Sequence, residues 1–163
     1  DILHGHVVLV GYGEKGKIIL DELLQRHLSV VVVDDHHAVV EELREKKVNS
    51  IYGDATDPAI LIQAHIHEAA ILVLAIDNEI LCRKIVETAK ILRPTIETVM
   101  PAENEEDAKA LKADGVAQAF VPDELLAQAI VQFTMSRFGK ESEDQKIREE
   151  EAEEQKAIER GAL

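Results

Sequence analysis

Gly11, Gly13 and Gly16 stand in the run His6-Val7-Val8-Leu9-Val10-Gly11-Tyr12-Gly13-Glu14-Lys15-Gly16, and an acidic pair, Asp34-Asp35, closes the next apolar run. Glycines at this spacing, directly behind a short apolar strand, can cradle an anion. The first permits a tight turn, the second lets backbone approach a phosphate, and the third lets the following helix pack close to a sheet. That helix offers unpaired N–H groups and the positive end of its dipole to whatever sits in the turn. Asp34, ending a second strand, is positioned to accept hydrogen bonds from ribose hydroxyls. Glycines punctuate many turns; the strand before, the amphipathic run after and the acid at its spacing make this pattern specific.

Positioning those groups requires strands alternating with helices, and the apolar pattern supplies that alternation. Strands are expected at Val7–Val10, Val30–Val33, Ser50–Tyr52, Ala70–Ile76, Thr95–Met100 and Ala119–Val121. Helices are expected at Lys15–Arg26, through Val39, Val40 and Leu43, from Pro58, at Glu79–Leu92, at Glu105–Ala113 and from Asp123 to about Phe138. Asp57 or Thr56 would cap the helix that Pro58 opens. The alternation predicts an α/β protein, a Rossmann-like doubly wound parallel sheet of six strands in the order 3-2-1-4-5-6, with helices on both faces. Residues 1–138 would form this domain. Residues 139–163 carry nine acids against five bases and few apolar side chains, and read as an acidic helical extension or linker. Like charges four apart, Glu149/Glu153 and Glu150/Glu154, weaken a free helix there, and no heptad seam is sustained.

Composition narrows the partners. The chain has 163 residues and a formal net charge of −14, without the basic stripe that a nucleic-acid binder needs. Hydrophobic residues make up 46% and aromatic ones 3%, so the core must be aliphatic, as buried parallel strands usually are. A lone cysteine, Cys82, excludes an internal disulfide and reads as an inert buried thiol. No run approaches the ~20 apolar residues of a membrane span, and no signal peptide is visible; a cytoplasmic location is expected.

Four segments in order resemble the TrkA-N/RCK family: Gly11-Tyr12-Gly13-Glu14-Lys15-Gly16, Val33-Asp34-Asp35, Tyr52-Gly53-Asp54-Ala55-Thr56-Asp57 and Lys112-Ala113-Asp114-Gly115-Val116. The resemblance covers about residues 5–138. Gly-Asp-Ala-Thr after the third strand is its most specific element. The segments Lys84–Lys90 and Glu124–Ala129 look nearest the Kef-type cation:proton antiporter branch. The resemblance implies a regulatory domain on the cytoplasmic side of the inner membrane, paired as a homodimer. It would serve a membrane-embedded cation transporter or channel expected in the same polypeptide. It also implies a site for an adenine nucleotide, AMP or NAD(H). Gly11, Gly13 and Gly16 would border the phosphate and Asp34 would hold the ribose, with Tyr12, Glu14, Lys15 and Asp35 among the same binding residues. Asp54, Ala55 and Thr56 would lie beside the adenine, with Asp77 facing the same crevice.

Two departures bear on the ligand. Glu14 and Met100-Pro101-Ala102 stand where antiporter-type members often carry basic residues. Both remove positive charge near the phosphate, which favours an AMP-like ligand over a dinucleotide diphosphate unless Lys15 turns inward. His4 and His6 read as an exposed strand start, and His36-His37 as the beginning of the second helix beside the adenosine pocket. His65 and His67 lie near a helix end, where the dipole favours cations. Asp34, Asp35, Asp54 and Asp57 converge at strand ends and read as solvated acids, with no metal assigned. No spacing suggests a Ser-His-Asp or Cys-His set, so catalysis is not expected. An oxidoreductase fragment is the alternative, but the segment after residue 140 offers nothing to hold a substrate against a nicotinamide. A dimerisation module with an empty pocket is a third reading.

Overall fold

The computed structural model describes residues 3–161, and for residues 140–142 the backbone alone. The outermost residues of the two expected segments, 1–2 and 162–163, lie outside the described residues. Six strands, β1 (Val7–Val10), β2 (Val30–Asp34), β3 (Asn49–Tyr52), β4 (Ile71–Leu74), β5 (Glu97–Pro101) and β6 (Gln118–Phe120), form one sheet in the order β3-β2-β1-β4-β5-β6. Every pairing is parallel, as the alternation required. Helices α1 (Glu14–Gln25), α2 (His37–Glu45), α3 (Pro58–Gln63), α4 (Glu79–Leu92), α5 (Glu105–Ala113) and α6 (Pro122–Glu159) connect and follow the strands, with one 3-10 turn at Ile66–Glu68.

Period-two alternation divides the valine-rich strands between two cores. Val8, Val10, Val31, Val33, Leu72 and Leu74 point to one face, where Leu61 of α3 and Ile85 of α4 cover them. Val7, Leu9, Val30 and Val32 point to the other, against Leu20 of α1 and Leu43 of α2. Because β2 lies on one side of β1 and β4 on the other, the chains leaving β1 and β4 diverge. They open a crevice above the carboxyl ends of the strands, the place where ligands bind in open sheets of this kind.

Three expectations are corrected. The expected β4 is shorter, Ile71–Leu74, without Ala70, Ala75 and Ile76: Ala75 N–H still donates to the Val10 carbonyl (2.9 Å), and Ala75 and Ile76 then line the crevice wall. His6 is not exposed: it is 1% accessible, and its Nε2–H donates to the Ala64 carbonyl at 2.9 Å. His4 is exposed and contacts Glu68 at 2.8 Å. The last helix does not stop near Phe138 but runs unbroken to Glu159. One interior glycine costs a helix only about 1 kcal/mol, and Glu, Lys, Gln, Ala and Arg on the far side of Gly139 are strong helix formers. The chain divides into two units, residues 1–122 and 123–163, so α6 after its first residue is a unit by itself. Among the described residues no helix is long and apolar enough to cross a membrane.

A Cβ built at Gly139 meets nothing within 4 Å. Gly139→Ala is therefore expected to stabilise α6 by about 0.5–1 kcal/mol, read as a later loss of 222 nm ellipticity on heating.

Candidate functional site

The crevice is built on the β1–α1 turn. Gly11 has a φ of +99°, and a Cβ there would lie 2.9 Å from both the Ala75 carbonyl oxygen and Ile76 Cγ1. Only glycine lets the turn pass that close to the exit of β4. A Cβ on Gly16 would run into the Gly11 carbonyl, so this glycine is what lets the first turn of α1 rest on the strand end. Gly13 differs from both: its Cβ would meet nothing within 4 Å, and it is the N-cap of α1 without a side-chain cap. The first intrahelical bond runs from Lys17 N–H to the Gly13 carbonyl (3.0 Å), leaving the preceding amides of the helix end without helical acceptors. An open approach to backbone N–H groups is what an anion requires.

Asp34 ends β2 and is 8% accessible. Its Oδ2 accepts from Tyr12 N–H at 2.9 Å, which ties the glycine turn to the second strand. Its Oδ1 accepts from His36 N–H at 2.8 Å and lies 2.9 Å from His36 Nδ1. That same Nδ1 is 2.9 Å from Oδ1 of the exposed Asp35. The Asp34 hydrogen bond, then the charges of Asp34 and Asp35, raise the pKa of His36 above its ordinary value. The ligand atoms of Asp34, Asp35 and His36 lie within 4.8 Å of one another, and the imidazole fills the place between the carboxylates that a cation would take.

On the third side, Gly53 at φ +154° brings the chain against Ile60, where a Cβ would collide. Asp54 Oδ1 accepts from Thr56 N–H (2.8 Å) and Thr56 Oγ1–H (2.7 Å), bonds that hold its carboxyl below the usual carboxylate range. Thr56 is engaged inward, and its carbonyl accepts from Thr88 Oγ1–H of α4 at 3.1 Å. Asp57, not Thr56, caps α3 by accepting from Ala59 N–H at 2.9 Å. On the fourth side, Lys15 forms an ion pair with Asp77, just past β4. Both side chains are exposed, where such a pair contributes about 0–1 kcal/mol.

Together these turns enclose a cavity of about 560 Å3, within the usual range for small-molecule sites. Of the residues expected from the sequence, Gly11, Tyr12, Gly13, Asp34, Asp35, Asp54, Ala55 and Asp77 line it. Glu14, Lys15, Gly16 and Thr56 stand outside the wall: Gly16 and Thr56 support it, Lys15 reaches Asp77, and Glu14 faces solvent. The sequence reading missed the apolar wall of Val39, Ala75, Ile76, Leu81 and Ile85 and the direct grip of His36 on Asp34. Spacing of four on α4 was the available signal for Leu81 and Ile85. A groove of equal volume lies between α4 and α5 around Val86, Ile91 and Leu111, so size does not single out the site. The glycine turn and the acid do. Cys82 is buried, and desolvation pushes its thiol up to about 11, so it is protonated at neutral pH.

A sequence model of the TrkA-N domain matches residues 7–122, the span from β1 to the first residue of α6. The chain belongs to the TrkA-N domain family. The resemblance read from the motifs is thereby borne out. The putative cation/proton antiporter YbaL of Escherichia coli is 29% identical over 127 residues, which are 78% of this chain and 23% of that protein. Potassium channel protein 1 of Methanocaldococcus jannaschii is 33% identical, over 74% of this chain and 37% of the channel protein. This TrkA-N chain thus spans about a quarter to a third of the length of those relatives. The crystal structure of the TrkA-N domain of E. coli YbaL superposes with a TM-score of 0.76 at 28% identity, covering 80% of this chain and 97% of that one. A Shewanella denitrificans Kef CTD in AMP-bound form shares the fold, with a TM-score of 0.65 at 24% identity and 80% of each chain covered.

The glycine geometry separates folding from binding. Gly16→Ala is expected to lose about 1–3 kcal/mol of stability through overpacking, measured by urea denaturation. Gly13→Val, which meets open space, is expected to change stability by about 1 kcal/mol or less.

Proposed function

We propose that this chain is a ligand-sensing regulatory domain of a membrane cation transporter of the cation:proton antiporter kind. In this reading it lies on the cytoplasmic side of the membrane and binds an adenine nucleotide in the β1–α1 crevice. The observation that carries the reading is the open N-terminus of α1 at Gly13 beside the buried acid Asp34, in a chain of the TrkA-N family. Phosphate would rest on the helix-end amides, the ribose hydroxyls on Asp34, and the base against the apolar wall near Ala55 and Val39. The AMP-bound Kef CTD of the same fold supports an adenine nucleotide.

We take AMP before NAD(H) as the ligand, on the AMP-bound Kef CTD of the same fold. Asp34, Asp35, Asp54 and Asp77 line the cavity, and Lys15 is already paired with Asp77. A potassium-channel parent is the second reading, supported by the 33% identity to the M. jannaschii channel protein. In either parent the role is regulatory and not catalytic. A ligand moves a conformational equilibrium only by its differential affinity for the two states, typically about 1–3 kcal/mol.

We also propose that the domain works as a homodimer. Leu126, Ile130, Phe133 and Phe138 are all more than half exposed on α6, an apolar density unusual for a solvated helix. Leu126→Glu with Ile130→Glu is expected to shift the chain from dimer to monomer by light scattering. A monomeric parent would refute the dimer, and a variant that stays dimeric would refute the α6 interface.

For the nucleotide, saturating AMP at about a hundred times its Kd should stabilise the fold by about 2.7 kcal/mol, seen as a raised melting temperature. Asp34→Ala should reduce that shift, and Gly13→Val should abolish it while the unliganded melting point stays near that of the parent. A melting temperature indifferent to millimolar AMP, ADP, ATP, NAD and NADH would sink the nucleotide reading.

A further inference from the structure

The His36 imidazole reaches into the ribose end of the crevice and sits on the group the sugar needs. Of the two oxygens of Asp34, Oδ2 is engaged by Tyr12 N–H, and Oδ1 carries both His36 N–H and His36 Nδ1. Oδ2 keeps one lone pair free, but a ribose diol that spans both oxygens of Asp34 meets, at Oδ1, an oxygen already holding an imidazole. The backbone bond is fixed by the start of α2, but the ring is 75% exposed and free to rotate away. We propose that ribonucleotide binding hands Asp34 Oδ1 from the His36 imidazolium to the sugar hydroxyls, so that the site releases a proton to water as it fills. This inference rests on the nucleotide reading above and adds its regulation by pH.

The direction follows from the neighbours. Asp34 and Asp35 are the ion-pair partners of the ring, and both favour its protonated form. From the other elements around the cavity, Asp54 is locked by Thr56 and Asp77 is taken by Lys15. His37, next on α2, faces Glu41 and the edge of Tyr52 instead. Losing Asp34 Oδ1 removes the largest influence holding the proton on His36. The imidazolium N–H bond then breaks, its electron pair stays on nitrogen, and the proton goes to solvent. Affinity for a ribonucleotide must rise with pH through the neutral range and weaken as acid protonates the free site. A domain of this kind couples nucleotide occupancy to proton concentration without any residue beyond the pocket.

Calorimetric titration of the 163-residue chain with AMP at pH 6 and pH 8 tests this. The second proton of a phosphate monoester leaves near pH 6, so His36→Gln, which shares that background, is the reference. The parent is expected to gain several-fold more affinity than His36→Gln between the two pH values, and to release protons to buffer. Asp35→Asn should move the rise to lower pH. With 2′,3′-dideoxyadenosine monophosphate, which has no hydroxyl for Asp34, the parent should match His36→Gln. NMR titration of the His36 ring in the parent should give a lower pKa when AMP is saturating than when it is absent. AMP binding with equal pH profiles in parent and His36→Gln, or a His36 titration unmoved by AMP, would overturn the proton linkage and leave the nucleotide site standing. Absence of AMP binding at both pH values would overturn both.

Discussion

Van der Waals contact between the first turn of α1 and the Gly11 carbonyl, possible only because Gly16 has no side chain, is the constraint on which the rest depends. It sets how deeply the helix descends onto the sheet, and hence where its N-terminal amides stand. Gly11 imposes the matching condition from the other side, because a Cβ on it would lie 2.9 Å from the Ala75 carbonyl oxygen at the exit of β4. Those two contacts leave Gly13 alone at the mouth, facing space. One glycine serves reach and two serve packing, and packing determines where the reach is directed.

The second consequence is electrostatic. Carboxyl ends of parallel strands gather acids from β2, the β3–α3 turn and the β4–α4 turn, and each acid here has a different restraint. Asp34 is buried and held by two backbone N–H groups, one from each neighbouring loop. Asp54 is folded onto Thr56. Asp77 meets Lys15 at the surface, and Asp35 shares the His36 ring. Backbone donors hold Asp34 and Asp54 in place, whereas Asp35 and Asp77 rely on mobile cations. The wall thus has a rigid part that defines shape and an adjustable part that answers to charge.

Much of this was legible in the sequence, because glycine and acid spacing encode backbone geometry directly. The strand order followed from strict alternation, and the α4 and α5 boundaries followed from apolar periodicity; the structure adds their caps, Asn78 and Asn104, which accept from Leu81 and Asp107 N–H. What escaped was set by tertiary contacts. Ala75 and Ile76 are as apolar as the strand they follow, yet the strand ends at Leu74 and they line the crevice instead. Thr95 is β-branched and reads as strand, yet Ile96 N–H closes a turn on the Arg93 carbonyl (3.1 Å) and the ladder begins at Glu97. His6 reads as exposed by alternation with His4, but the Ala64 carbonyl, fifty-eight residues away in the chain, gives its ring a buried partner. The grip of His36 on Asp34 needs a side-chain rotamer, which no spacing rule supplies.

The sensing role proposed above needs a fold stable enough to hold its site and loose enough to register a ligand, and the distribution of burial here is compatible with both needs. The strands that carry the site are among the most buried parts of the chain: Val8, Leu9, Val32 and Val33 are all 0% accessible. Opening them would sacrifice the aliphatic core on both faces of the sheet. The groups at the rim are the exposed ones, Lys15, Asp35, His36 and Asp77, joined by ion pairs of the kind that contribute at most about 1 kcal/mol. Replacing such a pair by a ligand contact costs little, and the couplings by which ligands bias transport are themselves only a few times larger. The energy scale of the rim, not that of the core, is therefore the one on which occupancy is read, and it is the scale that pH and ionic strength can also move.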